Sequence, residues 1–548
     1  FVLPFTRVRC FSRMIVDSVL IFIWEKESMI PGIIFFSFFF PTVGATNSDD
    51  LVTNLPGVLF RTNFSTYSGI LYANAQKTWK MQYLLFESKS NPLTDPLIVW
   101  YSGGPGCSGI SEVFQEHGPF YVTRDGQNLF ENVFAWNHNA NFLVVDSPIG
   151  VGFSFDSTNI SFIKATDEQT AEQNYVALKD FFNRAQTRYK GRDFFIAGVS
   201  YGGIYVPMLS AKVAEDDSFP AKFKGIAIGN GLLHFRDWDV LKSSQCCNNP
   251  DLDSCDFSKF LKTQNGMTFV GDNTICGKIL NPIITSFLNS DQVNQMNYYL
   301  SCYEDPQSKR FQDKTVTVSS GENPADQFNR DSTDSLNGYY CWSGGATYNY
   351  LNKEEVQKAL HVDQQFIDAK RKMMSCNDDL TSQYKLTNPD MTLFFERIIK
   401  KVADFHILIY NGNVDTVCNF LGAAMFANSF AGSHGFSDPE PRERWFFRNS
   451  LAGFHQRYRN EQKNISMDIV VVNGAGHLSP IDRPGPTFMM INNFMKDLYC
   501  NYSSTDGIDV NPKLSPLSES AQTSTGTSGR VREYFGLSVL FSLIACKL

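Results

Sequence analysis

Short apolar runs separated by helix-like segments recur along most of this chain, and no other feature limits its fold as strongly. The runs are Leu97–Trp100, Phe142–Val145, Phe194–Ala197, Gly225–Ile228, Ile407–Tyr410 and Ile469–Val472. Each has the length of a short strand, and each is continuously apolar, as strands buried on both faces are. Between them, Asp167–Thr187 and Tyr205–Val213 carry helical patterning. Strands alternating with helices predict an α/β architecture: a mostly parallel central sheet covered on both sides.

From Phe235 to Asn388 that rhythm breaks. The stretch holds seven of the twelve cysteines and few strand signals, so it predicts an inserted cap at 235–388 between two parts of one core, 46–234 and 389–500. A chain of 548 residues exceeds what a single core usually accommodates, which suits an insertion. Cys246, Cys247, Cys255, Cys276, Cys302 and Cys341 cluster there. No CxxC pair or zinc-like Cys/His spacing accompanies them, so disulfides in an oxidising compartment are the better reading, and no metal or cofactor is expected. Sequons at Asn63, Asn159, Asn464 and Asn501 agree, as glycosylation acceptors. A formal charge of −8 with no basic patch excludes nucleic acid as a partner.

The two ends read differently from the middle. Met29 opens a segment with an apolar run, Ile33–Phe40, and a small-x-small ending at Ala45. That run is too short to span a bilayer and predicts a signal peptide cleaved after Ala45, with 1–28 upstream of it. The competing reading is an uncleaved anchor running back through Val19 to Trp24. Residues 501–548 form a tail, rich in Ser, Thr, Pro and Gly from Asn511 to Gly529 and predicted to be disordered there. Its apolar end, Tyr534–Cys546, follows a polar spacer in the manner of a GPI signal, with Ser524–Gly529 as the attachment region.

Chemistry enters at Gly198-Val199-Ser200-Tyr201-Gly202, a G-x-S-x-G sequence preceded by a strand and followed by a helix. On such a turn the serine hydroxyl stands above the sheet, and the flanking glycines avoid clashes where the backbone folds back. A serine hydroxyl is a poor nucleophile until a base takes its proton, and the base must be held by an acid. Asp415 lies on the loop after Ile407–Tyr410, and His477 on the loop after Ile469–Val472. Open α/β sheets place their chemistry on such loops, and the order Ser, Asp, His fits an α/β-hydrolase. Ser200, Asp415 and His477 are therefore the predicted catalytic triad.

Trp100-Tyr-Ser-Gly-Gly-Pro-Gly-Cys-Ser108 resembles the W-x-N-G-G-P-G-C-S motif of serine carboxypeptidases. Asp146-Ser-Pro-Ile-Gly-Val-Gly-Phe-Ser154, Ser200-Tyr-Gly-Gly-Ile-Tyr-Val-Pro207, Gly229-Asn-Gly231 and the Asp415 and His477 loops match the same family in order, over about residues 50–500. The resemblance implies an α/β-hydrolase fold with a cap, and hydrolysis of C-terminal peptide bonds through an acyl-enzyme. It implies an oxyanion hole from the amides of Gly104 and Tyr201, and substrate contacts from Trp100, Ser102, Gly103, Glu116 and Val199. It also implies bridges Cys107–Cys376 and Cys302–Cys341, two more among Cys246, Cys247, Cys255 and Cys276, and an unpaired thiol at Cys418. Secretion or a lysosomal location follows, and a homodimer is compatible with it.

Two positions depart from the family pattern: Val199 stands where the family has Glu, and Ser102 where it has Asn. In the family those side chains help bind the substrate's free carboxylate, and the Glu shares a proton with a second Glu, matched here by Glu116. Without a partner at 199, Glu116 is expected to bind a carboxylate poorly, because burying a charge without donors is costly. Acyl transfer is expected to survive, strict exopeptidase selectivity is not. An esterase or acyltransferase on the same scaffold, or a non-catalytic protective binding protein, are the alternatives.

Overall fold

Six parallel strands form the centre of one large sheet, and they are the six predicted from apolar runs. With antiparallel flanks the sheet has eleven strands. In chain order they are β1 (Thr66–Tyr72), β2 (Trp79–Phe86), β3 (Leu97–Tyr101), a small separate hairpin of β4 (Phe120–Val122) and β5 (Leu129–Glu131), β6 (Asn141–Val145), β7 (Phe155–Asp156), β8 (Asp193–Val199) and β9 (Lys222–Gly229). A second separate hairpin, β10 (Leu261–Gln264) and β11 (Thr268–Gly271), precedes β12 (Phe405–Gly412), β13 (Glu443–Phe447), β14 (Ser450–Asn460) and β15 (Ile465–Val472). The spatial order is β1-β2-β6-β3-β8-β9-β12-β15-β14-β13, with β7 beside β2. Pairing is parallel from β6 through β15 and antiparallel outside it.

This computed structural model describes residues 48–123, 125–161, 164–234, 344–496 and 501–518, with short stretches at 261–264, 268–271, 296–297 and 521. The predicted signal peptide, Cys246, Cys247, Cys255, Cys276, Cys302, Cys341 and the apolar tail end lie outside the described residues.

Alternate residues of each central strand feed two separate cores, which is why the runs are apolar throughout rather than every second residue. Val99, Ile196, Ile226 and Ile407 join one core, while Ile98, Ala197, Ala227 and Leu408 join the other. The first core is closed by helices α2 (Asp167–Asp180) and α3 (Gly202–Glu215) and by helix Thr392–Lys401. The second is closed by helix Pro484–Lys496 and by residues 344–373, including Tyr350, Val356 and Phe366. The end of the stretch read as a cap thus shares a core with the sheet.

Part of the tail expected to be disordered is laid against the body. Arg61 N donates to Pro516 O, Ser518 N to Leu59 O, and Ser515 N to the Glu131 carboxylate. These backbone pairings satisfy groups that composition alone does not reveal.

Candidate active site

Every predicted catalytic group sits at the carboxyl end of a parallel strand, and the strands concerned are neighbours. Gly103 and Gly104 follow β3, Ser200 follows β8, Asn230 follows β9, Asp415 follows β12 and His477 follows β15. Loops far apart in sequence therefore converge at one edge of the sheet.

Ser200 has φ of 57°, a left-handed conformation unusual for a side-chain-bearing residue. Its amide bonds to the carbonyls of Gly229 and Asn230, both at 3.1 Å, which pins the turn. The glycines around it leave no room for a side chain. A Cβ at Gly198 would lie 2.7 Å from Tyr101 O, and one at Gly103 would lie 2.6 Å from Ser200 Cβ and 2.9 Å from Tyr201 N. Gly103 thus presses the β3 loop against the serine turn, and the Gly104 amide follows directly. Among the described residues neither Gly104 N nor Tyr201 N has a hydrogen-bond acceptor.

The acid and the imidazole are joined directly: His477 Nδ1 lies 2.9 Å from Asp415 Oδ2. Asp415 also accepts from Val417 N at 2.7 Å, Cys418 N at 3.2 Å and Asn230 Nδ2 at 2.8 Å. Burial works against a charged His477 ring, but Asp415 first, then Glu112 and Asp482, outweigh it and hold its pKa above the ordinary value. No hydrogen bond joins Ser200 Oγ to His477 in the described residues. What ties them is Asn230: its carbonyl accepts from Ser200 N, and its side chain bonds to Asp415, Gly476 O and Ser479 Oγ. The sequence reading matched Gly229-Asn-Gly231 as a motif but gave Asn230 no role.

The His477 loop rests on a second carboxyl. Asp482 Oδ2 accepts from Gly476 N at 2.6 Å and from Asn297 Nδ2 at 2.7 Å, while His477 N donates to Met296 O. Burial raises Asp482 to about 7, with Asp415 adding to the rise.

On the other side, Trp100 Nε1 donates to Glu112 Oε2 at 2.6 Å. Glu112 lies on helix α1 (Gly109–Val113), whose amino end is capped by Ser108 and by Asp146, the latter accepting from Ile110 N and Ser108 Oγ. The turn continues past the helix, since Glu116 N donates to Glu112 O at 2.9 Å. Glu112 and Glu116 therefore share a face. Glu116 was expected to stand without a carboxyl partner; the structure gives it Glu112, from its own turn rather than from position 199. Burial raises both carboxyls, and for Glu116 the charge of Glu112 raises it further. Val199 packs in the apolar core with Trp100 and Tyr410, and Ser102 is buried. The i, i+4 spacing of two glutamates was visible in the sequence and would have found Glu112.

Cys107 and Cys376 form the bridge the resemblance implied, beside the Gly104 loop. Of the sequon asparagines, Asn63, Asn159 and Asn501 are exposed, whereas Asn464 is half-buried and donates its Nδ2 to Asp404 at 2.6 Å.

A mostly parallel sheet with a serine elbow at its centre defines an α/β-hydrolase. Comparison with known proteins narrows this. A sequence model of the serine carboxypeptidases matches residues 56–497. The chain is 40% identical to the serine carboxypeptidase ctsa-3.1 of Caenorhabditis elegans, across 89% of this chain and 96% of that protein. It is 30% identical to the lysosomal protective protein of Mus musculus, across 82% and 94% of the two chains. A prohormone-processing carboxypeptidase from Saccharomyces cerevisiae shares the fold, with a TM-score of 0.56 at 19% identity over 82% of this chain and 96% of that one. The chain belongs to the serine carboxypeptidase family, and it is a serine-type hydrolase of peptide substrates.

Proposed function

We propose that this carboxypeptidase works through an acyl-enzyme on Ser200, and that the observation carrying this is the Asp415–His477 pair held to the serine turn by Asn230. His477 takes the hydroxyl proton as Oγ bonds to the scissile carbonyl carbon. The amides of Gly104 and Tyr201 receive the oxyanion. The C–N bond then breaks, the proton passes to the leaving amino group, and water repeats the sequence to release the acid. Secretory transit to a lysosomal or secreted destination fits the Cys107–Cys376 bridge and the exposed Asn63, Asn159 and Asn501.

Carboxylate recognition is altered at Val199 and Ser102, because neither can offer what Glu and Asn offer in the family. Turnover of N-blocked esters is expected to exceed turnover of the matching free-carboxylate peptides, with Ser200→Ala inactive on both. Equal and robust turnover of the two substrates would count against altered recognition. Failure of a fluorophosphonate to label Ser200 in the folded protein would count against the acyl-enzyme itself.

A further inference from the structure

We propose that Asp167 is a positioning residue for the oxyanion hole, holding the Tyr201 amide in place through the Tyr201 phenol. The proposal rests on the serine-hydrolase reading above and adds a residue to it.

The amides of Gly104 and Tyr201 meet no acceptor among the described residues, so what grips the chain behind them sets their direction. On the Gly104 side the grip comes from the end of the stretch read as a cap. Cys107 is bridged to Cys376, Asn377 N donates to Gly106 O at 2.9 Å, and Thr381 Oγ1 donates to Pro105 O. A Cβ at Gly106 would lie 2.9 Å from Thr381 Oγ1, so the two segments are in close contact.

On the other side the grip passes through a side chain. The buried Tyr201 ring stands edge-on to Tyr205 and Tyr384, with centroids 5.2 and 5.4 Å away. Its hydroxyl donates to Asp167 Oδ1 at 2.8 Å. Asp167 Oδ2 accepts from Thr387 N at 2.7 Å and Asn388 N at 3.0 Å, and Lys385 N donates to Ala165 O alongside. A carboxyl in the first turn of a helix is often no more than a partner for the helix dipole. Here Thr166 caps α2, and the fully buried Asp167 turns its oxygens to Tyr201 and to residues 387–388 instead. One carboxyl thus joins the Tyr201 side chain to α2 and to the same stretch, 376–388, that grips the Gly104 loop. Clamping ring and hydroxyl together locks the rotamer, and with it the peptide unit leading into Tyr201. Donors aimed in advance at a developing oxyanion need no reorganisation, whereas a misplacement of about 1 Å can cost about a hundredfold in rate.

The test uses the full-length protein, an N-blocked ester and the matching N-blocked peptide aldehyde. When Ser200 Oγ bonds to the aldehyde carbon, the former carbonyl oxygen enters the hole. Tyr201→Phe removes only the hydroxyl, and Asp167→Asn leaves one oxygen for donors on two sides. Each should lower kcat on the ester roughly ten- to a hundredfold with KM changed less than about threefold. Each should also weaken the aldehyde by the factor lost from kcat/KM, because both report the same oxyanion. The double variant should be no worse than the poorer single one, since the two groups act as a unit. A kcat within about twofold of wild type in Tyr201→Phe would overturn the proposal, whether or not Asp167→Asn folds. So would a raised KM at unchanged kcat, which would make the ring a wall of the substrate site and not a support. No turnover of the wild type, and no labelling of it by a fluorophosphonate, would sink the hydrolase reading as well.

Discussion

Two buried acidic groups of this site are served by different neighbours. Asp415 accepts four hydrogen bonds, from Val417 N, Cys418 N, Asn230 Nδ2 and His477. Glu116, as deeply buried, has an oxygen with no hydrogen-bond partner among the described residues and a second carboxyl as its neighbour. The first arrangement raises the pKa of an imidazole, and the second raises that of the acid itself. Burial is common to both, so burial alone does not decide what a carboxyl does; the donors and charges around it weigh against it. Asp468 extends the rule. Although desolvation opposes its ionisation, the Arg457 guanidinium, with His406 beside it, holds it well below the usual carboxylate range.

Removing the acceptor from the well-donated side should have the largest effect. Asp415→Asn presents an amide to His477 and favours the wrong tautomer, so kcat on a blocked ester should fall by about 10⁴-fold. Steady-state kinetics with active-site titration would show it. A drop of less than tenfold would mean that Asp415 does not orient the imidazole, and the contrast between the two sides would lose its meaning.

Weakening the same side without removing it should cost less. Asn230→Ala deletes one donor to Asp415 and the bonds to Gly476 O and Ser479. The loss of a hydrogen bond to a charged group predicts roughly ten- to a hundredfold lower kcat, with thermal unfolding measured alongside to confirm the fold. The pH profile sharpens the reading. Because Asp415, Glu112 and Asp482 raise the His477 pKa, wild-type ester turnover should climb as pH rises through that raised value. In Asn230→Ala, a climb shifted from the wild-type position would show that Asn230 acts through Asp415 on the imidazole. An unshifted climb would leave it a purely structural residue.

Much of this contrast was legible in the sequence, and unevenly. The parallel strands announce themselves because both faces are buried, as at Ile407–Tyr410, and the triad follows from the loops behind them. The flanking strands do not. Glu443–Phe447 and Ser450–Asn460 are antiparallel and partly exposed, so their polar residues break any apolar run. Glu112 is hidden for another reason: the family pattern places the partner of Glu116 at position 199, whereas in this chain a carboxyl stands one helical turn away. Asn230 was seen only as part of a motif, because its role comes from four loops meeting, which no local pattern encodes.

The smallest expected effect concerns stability, and it extends the contrast to the whole molecule. Asp146 is raised to about 6 and Asp482 to about 7, chiefly by burial, and Glu116 is raised as well. These groups bind protons more tightly folded than unfolded, so stability is fully present below the ordinary carboxylate values and is lost as pH rises through the folded ones. Moving one carboxyl from 3.8 to about 6 is worth ~3 kcal/mol of pH-dependent stability. Asp468 works the other way, contributing stability that is lost only as pH falls through its depressed pKa, far below that window. Thermal unfolding should therefore occur at a Tm several degrees higher in mild acid than at neutral pH (a shift of about 2–4 °C per kcal/mol is usual for large domains). Asp482→Asn, which mimics the protonated form, should flatten part of that slope. A Tm that rises from acid to neutral pH would mean that burial does not raise these carboxyls in the folded protein, and the distinction between the two sides of the site would fail with them.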